Sequence, residues 1–296
     1  MKKNDIYKIW KDLLIDNNKI EKILLKITGL SKSQLFLCED IDNKYLENIF
    51  NYFKKIIKGE PLEYITNNAE FYWFDFYVDN RVLIPRNDTE IMVYKAIEEI
   101  KKTKEDIILI DVWTWTSCIV ISILKSLISI NSKKNESYVI DISKNVLEVS
   151  KINIKLHELE NQITQIKWDL LEYFLISSPE NISFEKERFI EKKIIITANL
   201  PYIKNGDFEN MDEETINFEP SLALYWWVHT WFELYEKMII QCIIFKEIRK
   251  IYKLILFIEI WFDQKEVCEN YLNNFWIKFE IFRDNWWIDR CVKILI

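Results

Sequence analysis

Three short stretches combine residue types that could hold a nucleotide-like cofactor and orient a planar nitrogen group. In ILIDVWTWTSC, residues 108–118, an apolar run ends in Asp111 and passes through a tight turn into a helical pattern. Nucleotide-binding α/β folds place the ligand at the carboxyl end of such a strand, where glycine in the turn lets the backbone approach it. Here the turn is Trp113-Thr114-Trp115. A tryptophan enters positive φ only at a cost, and its indole fills space that a ligand needs. In YVIDIS, Asp141 ends a second apolar run, with Ile142 and Ser143 following. An acid there can accept both hydroxyl protons of a ribose, or it can cap the next helix together with Ser143. After IIITA comes Asn199-Leu200-Pro201-Tyr202. Asn199 offers an amide oxygen as acceptor, Pro201 biases Leu200 to an extended backbone that aims its carbonyl, and Tyr202 presents a flat ring. An amide or amino group could lie between two acceptors and that ring; an ordinary turn after a strand is the plainer reading of the same four residues.

The flanking pattern supplies the elements that would position these groups. Apolar, β-branched runs at 107–111, 138–141, 193–198 and 254–260 read as buried parallel strands. Helical periodicity at 89–101, 118–127, 143–157 and 232–249 alternates with them, which implies an open α/β sheet covered on both faces. Upstream, apolar steps of three and four residues through Ile20, Ile23, Leu24 and Ile27 end at Gly29, and Ser31 can cap the next helix. A further helical pattern stops at Gly59 and Pro61. Residues 1–65 therefore read as a small helical domain, 66–85 as a β-hairpin linker turning at Asp79-Asn80, and 86–296 as the sheet domain. The polar stretch 177–191 reads as a surface loop.

Composition narrows the function. A formal charge of −7 disfavours sequence-independent binding to a phosphate backbone. Five cysteines without a C-x-x-C pair and only two histidines, His157 and His229, disfavour zinc. Apolar runs are too short to span a bilayer and the start lacks a signal-peptide pattern, so a reducing cytoplasm is expected. One feature is abnormal: 3 Gly and 12 Trp in 296 residues, where average usage of about 7% predicts roughly 20 Gly.

Several ordered blocks resemble the HemK family, S-adenosylmethionine-dependent methyltransferases of a glutamine nitrogen in peptide chain release factors. VLIPRNDTEIMV is similar to V-L-I-P-R-P-E-T-E-x-L-V, GEPLEYI to G-E-P-x-Q-Y-I, and EFYWFDFYV to E-F-Y-G-x-x-F-x-V. EPSLALYWWVHTWFELY resembles E-P-x-x-A-L-x-G-G-x-D-G-L-x-x-Y, while EIWFDQ and DNWWIDR resemble E-I-G-x-x-Q and D-x-x-G-x-x-R. Asn199–Tyr202 resembles the family's N-P-P-Y, with Leu200 in place of the first proline; His229, Asn87 and Asp88 also depart from the pattern. Trp73, Trp113, Trp115, Trp226, Trp227, Trp231 and Trp261 stand where the family has glycine. Trp168, Trp276 and one of Trp286 and Trp287 join that set. The expected cause is UGA codons, read as glycine in the source and rendered as tryptophan; a degenerate paralogue would not confine its changes to one exchange.

The resemblance implies a seven-stranded Rossmann-like class I methyltransferase sheet with a small N-terminal helical domain that helps dock a class 1 release factor. It implies that Asp111 with Trp113, Thr114 and Trp115 holds the methionine part of S-adenosylmethionine. Asp141 with Ile142 would take the ribose, and Trp168, Asp169 and Leu170 the adenine. Asn199, bordering the cofactor, and the Leu200 carbonyl would accept from the glutamine NH₂, with Pro201 setting the geometry and Tyr202 packing on the amide. A cytoplasmic monomer with no metal, no membrane and no stable nucleic-acid partner is expected. The alternatives are a nucleic-acid adenine N6-methyltransferase using the same tetrapeptide, and a binding protein whose tryptophans block the cofactor.

Overall fold

Four unbroken aliphatic runs become strands buried on both faces, because helices cover both sides and leave no wet face to require polar alternation. In the computed structural model, which describes all residues except 14, 104–105, 129–135, 177–188, 190–191, 202–212 and 221–231, these are β3 (Ile107–Val112), β4 (Glu136–Asp141), β6 (Lys193–Ala198) and β7 (Lys253–Glu259). With β5 (Ile163–Lys167), β8 (Lys278–Arg283) and β9 (Asp289–Leu295) they form one sheet in the order β5-β4-β3-β6-β7-β9-β8. Pairing is parallel from β5 to β7, and β9 runs antiparallel between β7 and β8. The order runs outward from β3 to β5 and then restarts at β6 on the other side of β3. That reversal lies at β3 and β6, whose carboxyl ends are the usual ligand position in open α/β sheets.

The chain divides into two compact units, residues 1–68 with 211–218, and residues 69–210 with 219–296. In the first, α1 (Lys3–Asp12), α2 (Asn17–Thr28), α3 (Lys32–Leu37), α4 (Leu46–Ile57) and α5 (Leu62–Thr66) surround a core that includes Ile6, Trp10, Ile20, Leu24 and Phe53. Local chemistry sets its ends. Gly29 closes α2 in the left-handed region at φ 68°, and Ser31 with Gln34 makes a capping box on α3.

In the second unit, α6 (Glu90–Lys101), α7 (Cys118–Ile128), α8 (Lys144–Leu156), the short α9 (Glu172–Leu175), α11 (Glu233–Arg249) and α12 (Lys265–Asn274) accompany the sheet; α10 (Glu213–Phe218) falls in the first unit. The polar stretch 177–191 lies outside the described residues except for Phe189. The hairpin differs from expectation. Strands β1 (Ala69–Phe71) and β2 (Phe74–Phe76) turn at Tyr72-Trp73, not at Asp79-Asn80. Both turn residues have positive φ, 49° and 71°, the signature of a two-residue turn that matches strand twist and normally carries Asn-Gly. With an aromatic pair at the corner, the sequence hides the turn. Residues 77–84 form no strand; Asn153 ties them down by accepting from the Tyr77 N–H at 2.7 Å and donating to its carbonyl at 3.0 Å. No helix among the described residues is long and apolar enough to cross a membrane.

Candidate active site

Register brings the chemistry-bearing ends together. Val112 at the end of β3 pairs with Ile140 of β4 and Ala198 of β6, so Asp111, Asp141 and Asn199 share one edge of the sheet. Asp111 is fully buried. One carboxylate oxygen accepts from the Thr114 hydroxyl at 2.5 Å, the other from the Thr197 hydroxyl at 2.7 Å. Burial pushes its carboxyl up to about 7, against these two donors, which favour the ionised form. The Asp111–Thr114 bond folds the turn back on the strand, and the Trp113 N–H seals it by donating to the Ile140 carbonyl at 2.8 Å.

The turn itself has the backbone of a glycine loop. Trp113 stands at φ 62°, Trp115 at 50° and Ser117 at 65°. Each such residue other than glycine costs of order 1–3 kcal/mol. Both indoles are buried, at 4% and 6% exposure, and meet edge to face with centroids 6.2 Å apart. The Trp115 Nε1–H donates to the Asn199 backbone carbonyl at 3.2 Å, so the ring bridges the carboxyl ends of β3 and β6. Trp73, Trp276 and Trp287 also have positive φ, at 71°, 56° and 64°, whereas Trp168, Trp261 and Trp286 do not. Of the 286–287 pair, Trp287 is therefore the residue at the glycine-like corner. Trp226, Trp227, Trp231 and His229 lie outside the described residues. Trp10, in contrast, is an ordinary helical core residue against Phe53.

Asp141 is buried at the end of β4; one oxygen accepts from the Ser143 N–H at 2.9 Å, and the other, Oδ2, has no hydrogen-bond partner among the described residues. Ser143 caps α8 by accepting from the Val146 N–H at 3.4 Å, so the acid and the serine divide the two duties the sequence left open. Burial pushes the Asp141 carboxyl up to about 7, with the Asp111 charge adding to the rise. Ile142 is exposed beside it. The Trp168 N–H donates to the Asp141 carbonyl at 3.1 Å, which brings Trp168, Asp169 and Leu170 alongside. Leu170 is buried with φ 47°; Asp169 pairs with Lys237 at 2.6 Å through Oδ2, while its buried Oδ1 lacks a partner among the described residues.

Asn199 and Leu200 are buried where β6 ends, and Pro201 follows, also buried. The Asn199 Nδ2–H donates to the Thr89 hydroxyl at 3.2 Å, and among the described residues nothing donates to Asn199 Oδ1. The Leu200 N–H donates to the Tyr235 hydroxyl at 3.2 Å. Tyr202 lies outside the described residues.

Sequence reasoning did not single out the residues that brace these groups. Glu219, of the Glu-Pro pair, accepts from the Ile84 N–H at 3.3 Å and from Arg86 at 2.5 Å, pinning the Val-Leu-Ile-Pro-Arg segment. Asp284 accepts from the Trp286 and Ile288 N–H groups and, at 3.3 Å, from Arg290, which also pairs with Asp88 at 3.3 Å. Gln264 accepts from the Trp261 N–H at 2.7 Å. Only membership of a motif block pointed to them. The Glu219 partners and the Arg290–Asp88 pair are distant in sequence, so no local pattern could name those contacts, whereas Gln264 and Asp284 bind N–H groups within four residues of themselves.

The polar groups fit S-adenosylmethionine: among the described residues nothing donates to the buried Asp141 Oδ2 or Asp169 Oδ1, and a ribose hydroxyl or an adenine amine would supply the missing donors. The indoles of Trp113 and Trp115 do not fit, because they fill the turn that the methionine part would cross.

No family model matches the chain. It is 33% identical over 199 residues to the release factor glutamine methyltransferase of Clostridium acetobutylicum, a match covering 66% of this chain and 64% of that protein. The enzyme of the same name from Leptospira interrogans is 31% identical over 212 residues, 69% of this chain and 66% of the relative. That from Chlorobaculum tepidum is 28% identical over 224 residues, 74% and 70%. The chain thus spans just under two thirds of the length of the two more identical relatives. Among solved structures, the hMettl16 catalytic domain in complex with a MAT2A 3'UTR hairpin superposes with a TM-score of 0.54 at 12% identity, over 76% of this chain and 75% of that one, which shows a shared fold. The sheet is the Rossmann-like class I methyltransferase sheet, and in its ordered motif blocks and over most of its length the chain is similar to the release factor glutamine methyltransferases named above.

Proposed function

We propose that this protein, with glycine at 113 and 115, transfers a methyl group from S-adenosylmethionine to the side-chain nitrogen of the glutamine in the Gly-Gly-Gln loop of class 1 release factors. The observation that carries the reading is Asn199, whose Nδ2 is committed to Thr89 while Oδ1 has no donor among the described residues, beside the Leu200 peptide. The relatives named above are release factor glutamine methyltransferases, which supports the acceptor.

The cofactor, when bound, supplies an electrophilic methyl group on a sulfonium. Asp141 and Asp169 would hold its ribose and adenine, and the turn at 113–115 its methionine part. The chain's own residues do the rest. An amide nitrogen is a poor nucleophile because its lone pair is delocalised into the carbonyl. Two fixed acceptors, Asn199 Oδ1 and the Leu200 carbonyl, orient the NH₂ and favour it as conjugation is lost, a stabilisation realised mainly in the transition state. Tyr202 would pack on the amide plane and Pro201 set the turn. The proton can leave after transfer, so no strong base is needed beforehand. The helical unit would dock the release factor, and the protein would act as a cytoplasmic monomer; its charge of −7 supports the absence of a stable nucleic-acid partner.

The test uses the Trp113→Gly, Trp115→Gly chain with two labelled-methyl acceptors side by side, a release factor and adenine-containing RNA or DNA. Glutamine is methylated and adenine is not. Asn199→Ala lowers the rate by about 10²–10³, by analogy with the loss of one oxyanion-hole donor, with cofactor affinity unchanged. Label on adenine alone would overturn the glutamine assignment.

A further inference from the structure

Two buried hydroxyl groups hold the two acceptors of the site, and neither belongs to the Asn199–Tyr202 stretch. Thr89 is 3% exposed, the last residue of a short 3₁₀ turn (Asn87–Thr89) that leads into α6. Its side-chain oxygen receives the Asn199 Nδ2–H at 3.2 Å. A primary amide has a donor end and an acceptor end, and turning it over exchanges them. Binding the NH₂ end to Thr89 leaves the oxygen end for a substrate N–H. Without that bond the amide could present NH₂ to the glutamine NH₂, donor against donor.

Tyr235 plays the matching part for the neighbouring peptide. It is fully buried on α11, its hydroxyl donates to the Glu259 carbonyl at the end of β7, and its oxygen accepts the Leu200 N–H at 3.2 Å. The Leu200 carbonyl lies 3.4 Å from the same hydroxyl. Because the hydroxyl proton serves Glu259, the Leu200 carbonyl keeps lone-pair capacity for a substrate donor, while its peptide plane is fixed through the N–H. Thr89 is itself anchored. Its N–H donates to the Arg86 carbonyl at 3.1 Å, and Arg86 is gripped by Glu219.

We propose that Thr89 and Tyr235 are positioning residues for methyl transfer, Thr89 by holding the NH₂ end of the Asn199 amide so that its oxygen is left for the substrate and Tyr235 by setting the plane of the Leu200 peptide. The inference rests on the acceptor role given to Asn199 and Leu200 above. It assigns a task to the threonine of Val-Leu-Ile-Pro-Arg-Asn-Asp-Thr and to the tyrosine that closes Phe-Glu-Leu-Tyr, which the motif blocks leave unexplained.

The first measurement needs no cofactor. In the full chain, the Asn199 side-chain NH₂ signal, identified by its loss in Asn199→Ala, exchanges slowly with solvent by nuclear magnetic resonance. Thr89→Val removes the hydroxyl at nearly constant shape and speeds that exchange about tenfold, the scale of one neutral hydrogen bond; Thr89→Ser restores the slow rate. Exchange unchanged in Thr89→Val overturns the Thr89 bond. The second measurement uses the full chain with Trp113→Gly and Trp115→Gly. Thr89→Val and Tyr235→Phe each lower kcat about tenfold with KM for S-adenosylmethionine unchanged, and Thr89→Ser recovers most of the loss. Parent kcat in either variant, or a loss that Thr89→Ser fails to recover, overturns the positioning role of the residue concerned. If Asn199→Ala itself keeps full transfer, the acceptor reading fails, and the exchange measurement still decides whether Thr89 orients the amide.

Discussion

The two ends of the sheet bury carboxylates in opposite ways. Toward the amino ends of β6 and β7, Glu99 of α6 receives Lys193 at 2.7 Å, Lys293 at 3.1 Å, Lys102 at 3.3 Å and Lys253 at 3.6 Å. Burial alone would raise its carboxyl, but hydrogen bonds and charges from Lys193 and Lys293 outweigh it and bring Glu99 down to about 2. At the carboxyl ends, Asp111 and Asp141 meet hydroxyl and amide donors but no cation among their hydrogen bonds, and burial lifts both to about 7. One end has its charge compensated and holds the sheet together. The other keeps polar atoms without partners among the described residues and a strained turn, a local loss of stability that a bound ligand would recover. Ligand-free strain and stability are thus separated by the length of a strand.

The largest expected effect breaks the strained end. Trp113→Gly with Trp115→Gly removes two left-handed tryptophans and opens the turn, which should strengthen S-adenosylmethionine binding by about 4 kcal/mol or more. Titration calorimetry on the two chains checks this; equal affinities would mean that the turn is not the cofactor's seat.

Next comes the compensated end. Glu99→Gln leaves Lys193, itself almost fully buried, without its anion and should cost about 3 kcal/mol in urea unfolding, with methyl transfer in the glycine form unchanged. Asp141→Asn should do the reverse, keeping or raising stability while weakening cofactor binding. The contrast fails if both substitutions move the same quantity.

The pH dependence sharpens it. Glu99 is held below the ordinary 4.5, so the native state resists protonation and its contribution, full above pH 4.5, is lost as the pH falls toward 2. Asp111 and Asp141 are raised from 3.8 to about 7, so the native state keeps protons that the unfolded chain releases, and stability falls as the pH rises from 3.8 through 7. Unfolding free energy against pH should therefore have an acid limb that Glu99→Gln flattens and a neutral limb that Asp141→Asn flattens.

The smallest effect concerns the corner at Trp286-Trp287, between β8 and β9. Trp287→Gly, at φ 64°, should stabilise the chain by about 1 kcal/mol, whereas Trp286→Gly, with no positive φ to relieve, should destabilise it by about 0.5–1 kcal/mol. Thermal unfolding separates them, and UGA at the codon for Trp287 with UGG at Trp286 is the matching expectation in the gene.

Local pattern carried much of this molecule. Unbroken aliphatic runs marked β3, β4, β6 and β7, because a strand covered on both faces needs no alternation. Ser31 and Ser143 announced their helices by supplying oxygens to unpaired N–H groups. The antiparallel pair β8 and β9 was not legible: β8 alternates between exposed and half-buried residues, and Lys293 sits inside β9 because Glu99 and Glu280 compensate it. The hairpin corner was misread because Tyr72-Trp73 occupies backbone angles that normally reveal themselves as glycine.

What the sequence determined by itself was therefore whatever depends on neighbours along the chain: apolar period, caps, motif order and the family resemblance they carry. What only the tertiary structure decided was which groups meet across it. Asn199 and Thr89 are 110 residues apart, Glu219 and Ile84 135, and Asp111 and Thr197 86. Hydrogen bonds act over about 3 Å; sheet register brings Asp111 and Thr197 within that range, and packing of turns and helices against the sheet does so for the other two pairs. Tertiary packing likewise set the two fates of a buried carboxylate, because burial without a cation raises its proton affinity and burial among lysines lowers it.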